Sequence, residues 1–365
     1  MTQTINKNKS AWHRHTWIAY LAVFIGVIGH ASSEFVAKII SNNSTITGPE
    51  ISVWRFFFGG IGLVIISLMI PSSRDLITPI KKNGMSLILF SLFGVASAYL
   101  FFHWSLDYAT VPQVATVVTT IPIFVGLINL YANKVSIGVA KIISGLGAVF
   151  GVILLVTDGA LLALSGDSSN LVGIFMAIMC AFFMSGYLVL IKPLIKEFGA
   201  LRITAITLFL GGFILWIGVG LLFGRWVAFW NFSDLTFTVM VGIVVIILYN
   251  TTLTQWLWIG GLAAVPDITR GSYLFFFKPV VAAFLSVTFL GISLSIWQMF
   301  AILIICSAVV AEALISYYQE KKILNQYRVF GNHIYFSGRM LVCLISSIAK
   351  LDVTSKKSIL RVSFS

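Results

Sequence analysis

Charge is what this sequence has least of. Its 365 residues include only 12 Asp or Glu and 24 Lys or Arg, so charged residues make up 10% of the chain. A water-soluble domain carries about 25%, and a chain this poor in charge cannot solvate the surface of a soluble enzyme of its size. Cysteine is nearly as scarce. Cys180, Cys306 and Cys343 stand at no metal-ligand spacing, which excludes a disulfide framework and a thiolate metal centre. The five histidines (13, 15, 30, 103 and 333) are too scattered for a metal or catalytic cluster. Phosphate-loop, zinc-helix and nucleophile-elbow patterns are absent, so neither an enzyme nor a cofactor is expected.

What the chain has in abundance is apolar side chains. Hydrophobic residues account for 59%, with 30 Phe, 11 Tyr and 10 Trp, and mean hydropathy is +0.99. That composition excludes disorder and makes the lipid bilayer the expected solvent. A helix crosses the hydrocarbon core with about 20 apolar residues. Ten stretches meet or approach that length: 17–40, 50–70, 84–105, 110–132, 136–156, 171–191, 201–223, 237–258, 265–289 and 294–315. The first is about 24 residues long with no small-residue cleavage site and reads as a retained span. Turn-rich breaks separate the runs, as at Ser41-Asn42-Asn43-Ser44 and Pro71-Ser72-Ser73-Arg74-Asp75.

The net charge of +12 would suggest nucleic acid in a soluble protein; in a membrane protein its placement sets orientation. With the N-terminus in the cytoplasm, Lys7, Lys9, Arg14, Arg74, Lys81, Lys82, Lys134, Lys192, Lys196 and Arg202 fall inside, and the outer loops hold Arg225 alone. Both termini are therefore expected in the cytoplasm of a cell that carries the protein in its inner or plasma membrane, and no nucleic-acid partner is expected.

The chain also repeats. At an offset of 154, Trp104, Ala109, Val111 and Pro112 fall on Trp258, Ala263, Val265 and Pro266; at 152, Gly59-Gly60 falls on Gly211-Gly212. Halves of five spans each must enter the membrane in opposite senses, the inverted-repeat plan of many secondary transporters, with the binding site at the repeat interface near the midplane. The expected fold is an all-α membrane protein of ten transmembrane helices in two inverted five-helix repeats. A cytoplasmic segment covers 1–16, the repeats 17–156 and 171–315, and a basic cytoplasmic tail 316–365.

Ser32-Ser33-Glu34-Phe35-Val36-Ala37-Lys38 closing the first span, Pro49-Glu50 leading to Trp54-Arg55-Phe56-Phe57, Thr119-Thr120-Ile121-Pro122-Ile123, and Phe277-Lys278-Pro279-Val280 together resemble the EamA family of the drug/metabolite transporter superfamily. The resemblance covers about residues 17–315. Two features depart from the family pattern: Tyr131-Ala132-Asn133 and Leu290-Gly291-Ile292 stand where a Gly-Glu pair is usual, and His30-Ala31 where Trp-Gly is usual. The resemblance implies a carrier of small organic metabolites, and export of amino-acid-like or other amphipathic compounds.

Ionisable side chains within spans are costly and mark pathways. His30, Glu34 and Lys38 follow one another by four residues and share a helix face. A protonatable carboxylate beside an imidazole suits a coupling proton, so Glu34 and His30 are the candidate coupling pair; mutual neutralisation of Glu34 and Lys38 is the structural alternative. Lys278, near the middle of span nine, is the candidate counter-charge for a substrate carboxylate or phosphate, or a structural partner of an acid. Asn250 is the candidate to orient substrate, with Tyr99, His103 and Thr119 as further lining. Pro122 and Pro279 interrupt the backbone ladder and are candidate hinges. Arg55 reads as an interfacial or packing residue, and Asp267 and Arg270 as a pair. Gly147-x-x-x-Gly151 and Gly220-x-x-x-Gly224 read as small-residue faces, the first leaving open contact with span ten or with a second protomer in a homodimer. The apolar patch Met340–Ala349 in the tail is too short to cross a bilayer.

The expected activity is secondary active transport of a small organic metabolite, amphipathic or anionic, by alternating access and coupled to protons. An exchanger of anionic metabolites or sugar phosphates is one alternative. A non-transporting membrane protein that keeps the fold is the other.

Overall fold

In a bilayer no water is available to the backbone, so apolar segments satisfy their N–H and C=O groups internally, as helices. A computed structural model describes residues 16–105, 108–109, 114, 117–135, 137–159, 168–290, 293–312, 314–315 and 318, and all regular structure among them is helical. Met1–Ala311 form one compact unit and Glu312–Ser365 another; apart from four residues, the second unit and the tail expected there lie outside the described residues.

Among the described residues, seven helices are long and apolar enough to cross a membrane. They are α1 (Thr16–Asn42), α2 (Gly48–Met69), α3 (Ile77–Ser105), α6 (Leu171–Phe198), α7 (Ala200–Phe223), α8 (Phe237–Ala264) and α9 (Ile268–Leu285). Three more, α4 (Ile121–Asn133), α5 (Val139–Leu155) and α10 (Ile296–Glu312), are apolar but shorter. The 13 residues of α4 span about 20 Å at 1.5 Å per residue, and residues 114 and 117–118 ahead of it are also helical. Local chemistry sets the ends. A capping box between Thr47 and Glu50, with Pro49 in the first turn, starts α2. Asp267 accepts the N–H groups of Thr269 and Arg270 to cap α9.

Helix packing keeps its form when the halves are exchanged. α1 packs on α8 and α9, and its counterpart α6 packs on α3 and α4; α2 packs on α7, and α4 on α9. One glycine of each pair that aligns at offset 152, Gly60 and Gly212, lies in the α2–α7 crossing. A Cβ on Gly60 would lie 2.5 Å from the Phe209 backbone, and one on Gly212 2.4 Å from that of Phe56 and Phe57. Only glycine lets the two backbones approach so closely.

Three spans contain π-helical turns: Trp54–Phe58 in α2, Phe90–Ser97 in α3 and Leu248–Leu253 in α8. Those in α3 and α8 stand at equivalent places, since 94–97 shifted by 154 gives 248–251. The widened turn of α8 is served by its own threonines. Thr251, Thr252 and Thr254 donate to the carbonyls of Ile246, Ile247 and Tyr249, five residues back, at 2.6, 2.9 and 2.8 Å.

The two Gly-x-x-x-Gly motifs do different work. The face carrying Gly147 and Gly151 is occupied within the chain by α10: Cβ atoms there would meet Ala308 and Ile305, and Ser144 donates to the Ala308 carbonyl. Gly224 ends α7 in the left-handed region (φ 63°), and Gly220 lies under the Trp226 indole of the following loop. The second motif thus terminates a helix and seats a loop.

Candidate functional site

The polar groups that a bilayer would reject converge on one cavity. His30 and Ser33 from α1, Arg55 from the π-helical turn of α2, Tyr99 from α3 and Lys278 from α9 all line it. Phe102, Trp258 and Phe275 form its aromatic wall, and Val118, Ile121, Cys180 and Met184 complete it. Its empty volume, open mouth included, is about 490 Å³. Both halves of the chain contribute.

Each polar group is held by its neighbours. The Lys278 ammonium lies 5.7 Å from the Phe102 ring centre and 5.5 Å from that of Phe275, close enough for cation–π attraction. Arg55, only 3% exposed, donates through Nε to Thr251 Oγ1 at 3.4 Å and stands over the Phe56 ring. The Tyr99 hydroxyl accepts from Gln255 Nε2 at 2.6 Å. His30 sits edge-on to Trp258 and Phe275, with ring centres 5.7 and 5.9 Å away. Its Nε2 is buried and has no hydrogen-bond partner among the described residues. A buried imidazole nitrogen left open on a cavity wall is an available donor or acceptor for a guest molecule.

Of the candidates read from sequence, His30, Tyr99 and Lys278 come together at this cavity, and His103, Asn250 and Thr119 stand outside its lining. His103 is buried behind Tyr99, its Nδ1 between Ser52 Oγ and the Tyr99 carbonyl. Asn250 binds α8 to α1: its Nδ2 donates to the Gly29 carbonyl and to Ser32 Oγ, each at 2.8 Å. Thr119 is buried just ahead of α4. Pro122 lies in the first turn of α4, and Pro279 in the first turn of the α-helical stretch Lys278–Leu290, which follows a 3₁₀ turn over Tyr273–Phe277. Pro122 thus occupies a place where a missing N–H leaves no gap in the ladder, whereas Pro279 lies within α9, at its change from 3₁₀ turn to α-helix. The backbone of Glu34 continues α1 one turn beyond His30; its side chain and that of Lys38 lie outside the described residues.

Sequence reasoning assigned Arg55 to an interface or to packing, whereas the structure puts it in the cavity wall. Its position seven residues after the start of α2 at Gly48 was the available signal. Cys180, Met184, Trp258 and Phe275 carried none, because an apolar residue reads alike whether it faces a cavity or lipid. Asp267, expected to pair with Arg270, accepts the Arg270 backbone N–H and forms an ion pair with Lys141 from α5.

A second cavity opens at the α4–α6–α9 junction. Asn129, Asn133, Lys192, Lys196 and Asp267 give it a polar lining, and its empty volume, open solvent included, is about 940 Å³. Asn133 donates to Asn129 at 2.8 Å, and Lys192 donates to the Val265 carbonyl at the end of α8, also at 2.8 Å.

Comparison with known proteins bears on what these cavities serve. The sequence model of the EamA-like transporter family matches residues 17–157 and 171–312, one match in each half. The inner membrane transporter YicL of Salmonella typhimurium is 25% identical over 294 residues, covering 80% of this chain and 93% of that protein. A transporter of Clostridium kluyveri is 21% identical over 307 residues, covering 83% and 94%. A protein solved by crystallography superposes with a TM-score of 0.69 at 14% identity, over 83% of this chain and 98% of that one; this likeness is one of fold.

Proposed function

Because this chain belongs to the EamA-like transporter family, we propose that it is a secondary active transporter. It moves a small organic metabolite, amphipathic or anionic, through the cavity between its halves by alternating access. The observation that carries this reading is the gathering of His30, Arg55, Tyr99 and Lys278, from spans far apart in sequence, at one cavity with an aromatic wall. Lys278 and Arg55 supply the field for a carboxylate or phosphate, His30 Nε2 a hydrogen bond, and Phe102, Trp258 and Phe275 the surface for an apolar body. Thr119 and Asn250 act behind this wall, Asn250 by fixing α8 against α1, and His103 by fixing Tyr99.

The chain crosses the bilayer ten times, in two five-helix halves of opposite sense. The exchange symmetry of the packing and the Gly60–Gly212 crossing support this. The halves rock about that crossing, with hinges at Pro122, where α4 begins, and at Pro279, where α9 changes from 3₁₀ turn to α-helix. Glu34 and His30 couple the movement to protons, and the direction is export. The name of the Salmonella relative places that protein in the inner membrane; the same location is proposed for this chain, with both termini in the cytoplasm. The test is flux in proteoliposomes across a panel of carboxylates, phosphates, amino acids and neutral analogues, with and without a proton gradient. Saturable, gradient-dependent flux of an anionic or amphipathic compound is expected.

A further inference from the structure

On α4, α6 and α8 the residues that line the two cavities stand eight apart, about two helical turns, and the residue midway between them is apolar and buried. In α4, Ile121 lines the central cavity and Asn129 the polar vestibule. Val125, four residues from each, is wholly buried. In α6, Met184 faces the central cavity and Lys192 the vestibule, and Leu188 between them is 2% exposed. In α8, Trp258 lines the cavity and Pro266, just past the helix end, lines the vestibule; Leu262 stands between, at 0% exposure. α9 runs back the other way, from Asp267 at the vestibule to Phe275 at the cavity, with Gly271 at the middle. A Cβ on Gly271 would fall 3.1 Å from Leu262 Cδ2 and 2.8 Å from Val265 Cγ2, so α9 closes against Leu262 at this level. Eight residues of helix rise about 12 Å, so each of these side chains stands about one turn from either lining.

We propose that Val125, Leu188 and Leu262, closed by Gly271, form the gate between the substrate cavity and the vestibule, and that this gate is shut in the structure described. The proposal rests on the carrier reading above. The chemistry fits the task. Water and a charged solute are excluded by these three apolar side chains, while Ser185, donating to the Ile121 carbonyl, and Thr269, accepting from Asn129, flank the layer. The polar groups of the vestibule lie on its far side, where they solvate whatever passes the gate.

The native thiol Cys180, in the wall of the central cavity, is the reporter. With Cys306→Ser and Cys343→Ser it is the sole cysteine. An Asn133→Cys variant in a Cys180→Ser background identifies the vestibule side of oriented vesicles by its ready reaction with a membrane-impermeant methanethiosulfonate. From that side, Leu262→Ala is expected to raise the rate at Cys180 at least tenfold, with the rate from the opposite side within twofold. Leu215→Ala, a truncation of an equally buried residue in α7, which contributes to neither lining, is expected to stay within twofold. Should Leu262→Ala fold poorly, Val125→Ala makes the same prediction with a smaller cavity. An unchanged rate at Cys180, or an equal rise with Leu215→Ala, would overturn the gate. Labelling needs no transported compound, so absence of flux with labelling as expected would count against the carrier reading and leave the barrier in place.

Discussion

Replacing glycine by alanine in α7 should change stability in opposite directions at two sites six residues apart. At Gly212 the added methyl would sit 2.4 Å from Phe56 C and Phe57 N, main-chain atoms that cannot rotate aside. Carbon contacts are comfortable at about 3.5–4.0 Å, so α2 and α7 would have to separate by about 1 Å. Overpacking of that kind costs about 1–3 kcal/mol. At Gly218 a Cβ would find nothing within 4 Å, and alanine gains up to about 1 kcal/mol in a helix interior. The two variants should therefore differ by about 1–4 kcal/mol, Gly212→Ala below the wild type and Gly218→Ala at or above it. Gly60→Ala, with its Cβ 2.5 Å from the Phe209 backbone, should behave as Gly212→Ala does. Thermal unfolding in detergent, followed by loss of the monodisperse peak in size exclusion, reads the order directly. If Gly212→Ala and Gly218→Ala shifted the midpoint alike, the close α2–α7 crossing, and the rocking of the halves about it, would be wrong.

Two predictions address the site. Lys278→Met should weaken binding of carboxylate- or phosphate-bearing compounds at least tenfold while sparing neutral ones, measured by ligand-induced thermal shift; equal affinity for both classes would remove Lys278 as the counter-charge. Glu34→Gln should abolish proton-driven flux and leave substrate exchange intact, and unchanged driven flux would take the coupling role from Glu34.

Hydropathy located the helices because the bilayer imposes one length and one polarity on all of them. It misplaced ends where polar residues stay helical beyond the core. α3 begins at Ile77, ahead of the expected start at 84, because Lys81, Lys82 and Asn83 continue the helix through a kink at Asn83. α8 runs on to Ala264 and stops only before Pro266. The short α4 begins at Ile121, eleven residues after the expected start at 110, and several residues ahead of it are outside the described set. The site was legible where a residue is costly in lipid, as with His30 and Lys278. It was illegible in two respects. A polar residue such as Asn250 reads the same whether it lines a cavity or ties two helices together, and the π-helical turn that carries Arg55 leaves no mark in composition. Pairing across helices, as between Lys141 and Asp267, depends on a packing that spacing along one helix cannot reveal.

The central claim is that the cavity of His30, Arg55, Tyr99 and Lys278 carries a solute across the membrane. Its most direct test is flux of radiolabelled anionic and amphipathic metabolites in proteoliposomes, wild type beside Lys278→Met. Saturable flux of at least one such compound, lost with Lys278→Met in a correctly inserted protein, is the result predicted. Absence of flux for every compound, or flux indifferent to Lys278, would contradict it.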